Sequence, residues 1–156
     1  MRWIARLIYG ALVWREQHRS KAGPESKKNR EPEGKHEHLR IGLRGERLAY
    51  WYLRQAGYVI VARNRRPHRN SGELDMIGWD GQVLTFIEVK TRTGNQAGPP
   101  ETAVGKHQQE RIIRSAQGYL KRMKQKPASF RFDVVGVYWD PVAEYRVRVV
   151  KDAYKA

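Results

Sequence analysis

Residues 73–91 constrain the fold of this chain more than any other stretch. Two runs rich in apolar, β-branched and aromatic residues, 73–79 and 82–91, flank the dipeptide Asp80-Gly81. Asp-Gly between two such runs is a strong short-range signal for a hairpin with a two-residue loop. The remaining elements follow from periodicity. Residues 45–56 read as a helix, with Leu48, Ala49, Tyr52, Leu53 and Ala56 in one stripe and Gly57 as the stop. Residues 58–62 read as a strand, 63–71 as a basic loop and 93–100 as a Gly/Pro-rich loop. A second helix is expected over 106–124, with Ile112, Ile113, Ala116, Tyr119, Leu120 and Met123 on its apolar face and Pro127 beyond its end. Strands over 130–139 and 145–150, joined by an Asp140-Pro141 turn, complete the order αβββαββ, an α/β domain around a mixed sheet.

That domain is expected to span 39–156. Residues 20–38 hold two prolines, one small apolar residue and dense mixed charge, which reads as a disordered linker. Before it, residues 1–19 read as an amphipathic helix: Trp3, Ile4, Leu7, Ile8, Ala11 and Leu12 recur at helical spacing, interrupted by Arg2 and Arg6. Two readings of residues 1–14 stand side by side, a helix packed on the domain or fraying, and a peripheral membrane or partner-binding helix. No apolar run approaches the ~20 residues of a membrane span, and no signal cleavage site follows Trp14.

Charge narrows the partners. Lys and Arg number 31 against 16 Asp and Glu, a formal +15. From Leu39 onward the count is 22 against 11, so +11 sits on the domain itself. Such an excess points to polyanions, nucleic acid first. The absence of Cys removes disulfides and Cys-based zinc sites and fits a cytoplasmic location.

The hairpin also groups chemistry. With Asp80-Gly81 as the loop, Trp79 faces Gln82, Asp75 faces Phe86 and Glu73 faces Glu88. Side chains alternate along each strand, so Glu73, Asp75, Glu88 and Lys90 emerge on one face together with Ile77, Leu84 and Phe86. Asp75 and Glu88 are then diagonal neighbours, roughly 7–8 Å apart. Carboxylates crowded at the edge of an apolar face repel unless a cation sits near them, and a hard divalent ion such as Mg²⁺ or Mn²⁺ suits oxygen ligands. Lys90 can hold an attacking water or stabilise charge developing on a phosphorane. Arg63, Arg65, Arg66, His68 and Arg69 form the densest basic cluster just before this strand, and are expected to contact phosphates without reading sequence. Arg92 and Lys106 are further phosphate candidates, with Gln109 near the start of the second helix. Asp133 is expected to be structural, paired with an Arg.

Asp75 followed by Glu88-Val89-Lys90 resembles the PD-(D/E)xK nuclease signature, without the Pro before the Asp. Around it, Gly45-Glu46-Arg47-Leu48-Ala49, Asn64-Arg65-Arg66, Gly72-Glu73-Leu74-Asp75-Met76-Ile77, residues 86–92, Lys106, Ala116-x-x-Tyr119-Leu120 and residues 131–135 resemble the YraN-like family of uncharacterised bacterial proteins. That likeness covers residues 42–137 and implies a restriction-endonuclease-like fold similar to that of archaeal Holliday-junction resolvases. It implies metal ligation by Asp75, Glu88, the Val89 carbonyl and Glu46, the acid on the first helix, with Lys90 orienting water. The expectation is a Mg²⁺- or Mn²⁺-dependent endonuclease acting on DNA, branched DNA by the resolvase likeness. The alternative is a non-catalytic nucleic-acid-binding module on the same scaffold. Oligomeric state is open, a homodimer included.

Overall fold

The computed structural model describes residues 33–66, 72–93, 98–139 and 145–156. The expected N-terminal helix, the linker as far as Pro32, His68, Arg69 and the Asp140-Pro141 turn lie outside them. Helix α1 spans Glu33–Gln55 and so starts well before the expected Gly45. Its opening turns are rich in Glu, Lys, Leu and Arg, all good helix formers, and no Pro follows Pro32 to stop them. Mixed charge in that tract signals a solvated helix rather than disorder. Leu39 and Leu43 on it are accordingly exposed.

Strands β1 (Val59–Arg65), β2 (Leu74–Asp80) and β3 (Val83–Thr93) follow, then a 3₁₀ turn over Pro100–Ala103, helix α2 (Lys106–Arg122), β4 (Ser129–Trp139) and β5 (Arg146–Tyr154). The five strands lie in chain order in one sheet. β3 pairs parallel with β4, and the other neighbours are antiparallel. The sheet is therefore mixed, as expected, and its architecture is consistent with a restriction-endonuclease-like fold.

Both faces of the sheet are covered. Leu84 and Phe86 of β3 pack with Ile112 and Ala116 of α2, while Ile87 and Val89 pack with Ala49 and Leu53 of α1. The apolar face expected for α2 is the one buried. On α1 the buried stripe is narrower than expected: Ala49 and Leu53 are fully buried, but Tyr52 and Ala56 are exposed. Gly45 lies one turn before Ala49 on the same stripe, and a Cβ there would fall 1.8 Å from Thr91 Oγ1 on β3. Only glycine lets the helix backbone come that close to the strand.

The hairpin loop is Gly81-Gln82 rather than Asp80-Gly81, since Asp80 pairs with Val83. Gly81 takes a φ of 59°. Asp80 stays in the strand because its Oδ2 accepts hydrogen bonds from Arg131 (2.5 Å) and Lys151 (2.7 Å). These two cations hold the Asp80 carboxyl below its usual range, the Lys151 bond first. The same guanidinium binds the fully buried Asp133, with Arg131 Nε 2.8 Å from Oδ1, so Asp133 has the structural role expected of it. Tyr58 donates to Asp133 Oδ2 and accepts from Arg131, and burial pushes its phenol well up. β5 runs past its expected end at Val150 to Tyr154, with Asp152 at a φ of 55°. Among the described residues no helix is long and apolar enough to cross a membrane.

Candidate active site

Moving the loop by one residue shifts every β2–β3 pair by two and leaves each side chain on its expected face. Ile77 now lies opposite Phe86, and Met76 opposite Ile87. One further step along that register brings Asp75 level with Glu88, not diagonal to it. Glu73, no longer opposite Glu88, accepts from Arg66 Nη2 at 2.6 Å. Asp75 Oδ2 accepts the backbone N–H of Val89 at 2.8 Å, which holds this carboxylate against the Glu88-Val89-Lys90 stretch.

Glu88 is buried, and Lys90 is largely so. The Lys90 ammonium donates to Glu88 Oε1 at 2.8 Å and to Gln108 Oε1 at 3.0 Å. Gln108 in turn donates through Nε2 to Glu88 Oε1. The residue expected to matter on this turn is Gln109. That side chain instead binds the Val104 carbonyl at 2.8 Å, close to the helix start. Which of two adjacent glutamines reaches the acids depends on how α2 is rotated over the sheet.

Glu46 approaches from the α1 side, next to the Gly45–Thr91 contact. Its Oε2 accepts from Asn64 Nδ2 at 2.9 Å. Asn64 has a φ of 49°, a left-handed conformation that Asn tolerates better than most residues. A shallow cavity of about 320 Å³ lies on this side, lined by His38, Glu46, Val89, Thr91 and Arg92 among others.

Electrostatics mark the acids as strained. Burial first, and then the Glu88 carboxylate, push Asp75 up to about 8, against the lowering effect of the Val89 N–H. Burial likewise raises Glu88, with Lys90 opposing it. The Tyr154 hydroxyl is buried with no hydrogen-bond partner among the described residues, and burial and the Glu88 and Asp75 charges raise it. Nothing in its sequence context on β5 pointed to this site.

The donor set suits a divalent cation. The buried Glu88 and the half-buried Asp75 stand close together, each disfavoured as an anion, and a cation would relieve both. Among the described residues no three His, Asp or Glu side chains gather into a cage, so Glu46 is not drawn into one group with Asp75 and Glu88. A pair of carboxylates that leaves the rest of the shell to water and phosphate is the arrangement Mg²⁺ accepts.

The basic residues are spread around this centre. Arg65 and Lys106 are exposed, as is Arg92 at the end of β3. Arg63 lies over the Tyr50 ring, 4.8 Å from its centroid, and Arg66 is engaged with Glu73. The arginines expected on a loop thus lie mostly on β1 and its end.

The model of the uncharacterised protein family UPF0102 matches residues 45–137, which include Glu46, Asp75, Glu88, Lys90 and Gln108. A UPF0102 protein of Koribacter versatilis is 45% identical over 119 residues, covering 76% of this chain and 81% of the relative. One from Symbiobacterium thermophilum is 44% identical over 117 residues, covering 75% and 98%. One from Clostridium tetani is 40% identical over 116 residues, covering 74% and 93%. With the family model matching more than half of its length, the chain belongs to the uncharacterised protein family UPF0102.

Proposed function

We propose that this protein is a metal-dependent nucleic-acid phosphodiesterase, an endonuclease acting on DNA in the cytoplasm, with branched DNA the form implied by the resolvase likeness. The observation that carries the reading is the pair of half-buried Asp75 and buried Glu88 with the Lys90 ammonium 2.8 Å from Glu88, beside exposed arginines. Asp75 and Glu88 would hold Mg²⁺ or Mn²⁺, with the Val89 carbonyl and Glu46 contributing directly or through water. Bound there, the ion would activate water and neutralise charge on the scissile phosphate.

The chain's own groups supply the rest. Lys90 cannot ligate a cation, so its ammonium acts on water or phosphate: it positions the attacking water and offsets negative charge as the phosphorus becomes five-coordinate. Gln108 bridges Lys90 and Glu88 and keeps the ammonium from swinging out to solvent. The Val89 N–H orients the Asp75 carboxylate. Arg63, Arg65, Arg92 and Lys106 contact backbone phosphates and hold the strand across the acids, without reading bases.

The test is cleavage of a four-way junction, a flap, a linear duplex and RNA, with Mg²⁺, Mn²⁺ or EDTA. Wild type should cut at least one substrate only with metal. Lys90→Ala should lower the rate about 10²–10³-fold while still binding metal and nucleic acid. No metal-dependent cleavage of any substrate by the wild type would overturn the reading.

A further inference from the structure

The α1–β1 side of the site leads outward through a chain of contacts that runs from Glu46 to residues with no part in hydrolysis. Asn64 holds Glu46, and Arg63, the residue before it, lies over the ring of Tyr50, one turn along α1 from Glu46. The Tyr50 ring meets Trp51 edge-on, with centroids 5.2 Å apart and planes at 77°. Trp51 is 45% exposed, and Tyr52 beside it is 43% exposed. Helical spacing puts Arg47 and Arg54 at i−4 and i+3 from Trp51, so cationic side chains flank the indole along the helix. Tryptophan at that exposure contributes little to the core. The helix buries Ala49 and Leu53 instead.

We infer that this face is a track for unpaired nucleotides, with a base stacked on Trp51 and the backbone led along Arg63 and Arg65 towards the acids. Three observations select this occupant. The surroundings of Trp51 are cationic, which matches a polyanion and opposes a second copy of a chain carrying +15. In a duplex the base faces are covered by their neighbours, so an exposed indole meets an open π-face only on an unpaired strand. The Arg63 guanidinium, held over the Tyr50 ring 4.8 Å from its centroid, places a cation between Trp51 and the acids, where a phosphate of the same strand would pass. Trp51 thus selects substrates with a single-stranded segment next to the cut. This rests on the phosphodiesterase reading for its direction, though not for the binding itself.

The experiment is binding of the full chain to labelled oligo-dU, oligo-rU and a DNA duplex of equal length, in EDTA so that no cleavage intervenes. Trp51→Ala should weaken single-strand binding about 5- to 100-fold, the range of one lost stacking contact, and lower the ratio of single-strand to duplex affinity. Trp51→Phe keeps a ring at the position and should restore most of the affinity, which separates stacking from a folding defect. Loss on both strands says that the base alone is read, and loss on one says that the sugar is read too. Trp51→Ala binding single strands as the wild type does, or weakening strand and duplex equally, overturns the inference. So does a Trp51→Ala effect confined to self-association in light scattering. If cleavage is absent but the Trp51-dependent strand preference holds, the phosphodiesterase reading falls alone. If cleavage is present and Trp51 proves neutral, only the track falls.

Discussion

Asp75 is where burial, charge and function meet in one side chain. Its carboxyl is pushed up to about 8 in the folded domain, whereas in an unfolded chain it titrates near the ordinary ~3.9. The folded state therefore holds the proton more tightly. The stability linked to that proton is fully present below the unfolded value and is lost as pH rises through the folded one. In the metal-free domain this group should cost at most about 1.4 kcal/mol per pH unit between those limits. Asp75→Asn cannot lose that proton. Urea melts in EDTA should show the variant gaining on the wild type as pH rises from 5 to 8, and Mn²⁺ should stabilise only the wild type. A constant difference across that pH range would mean that Asp75 is not strained as its surroundings imply. Gln108 makes a separate case. Gln108→Ala leaves Lys90 held by Glu88 alone, so cleavage should fall less than in Lys90→Ala, while Mn²⁺ affinity measured by calorimetry stays near wild type. Asp75, Glu88 and Lys90 could be read from the sequence because alternation on a hairpin survives a loop shift. Gln108 could not, since the rotation of α2 over the sheet decides which of two adjacent glutamines points at Glu88.

At the scale of elements, the Gly45–Thr91 approach sets where α1 sits. The Thr91 Cβ would lie 2.9 Å from a Cβ at residue 45, so rotating the threonine side chain does not make room. Gly45→Ala must lift the helix off β3. We expect a loss of about 1–3 kcal/mol, the usual cost of overpacking, read in a urea melt. We also expect a fall in cleavage beyond that explained by unfolding, because Glu46 moves with the helix. Thr91→Gly in the same chain should recover part of both. The hairpin illustrates the limit of local signals. Asp-Gly favours a loop made of those two residues, but Asp80 is held in the strand by Arg131 and Lys151, which lie 51 and 71 positions away in the chain. The early start of α1 is hidden in the sequence for the opposite reason, a helix-forming composition masked by its charge.

For the whole molecule, the excess of positive charge sets the salt dependence of binding. Arg65 is exposed, whereas Arg66 is already paired with Glu73. Arg65→Gln should flatten the slope of log affinity against log salt on duplex DNA by about 0.9, the value for one phosphate contact. Arg66→Gln should change it less. Equal slopes for all three proteins would move the phosphate path away from β1.

The position of β3 in the middle of the sheet has a consequence for how the protein wears out. β1 and β5 can fray from either edge, but the strand that carries Glu88 and Lys90 is laced to β2 as far as Ile87 and to β4 along its whole length. Amide protons at residues 84–87, where β3 pairs on both sides, should be among the slowest to exchange with solvent, at a rate set by global unfolding, while those of β1 leave through local opening. Heating would then dull the outer arginines well before it touched the acids, and the acids and the fold would fail together at one temperature.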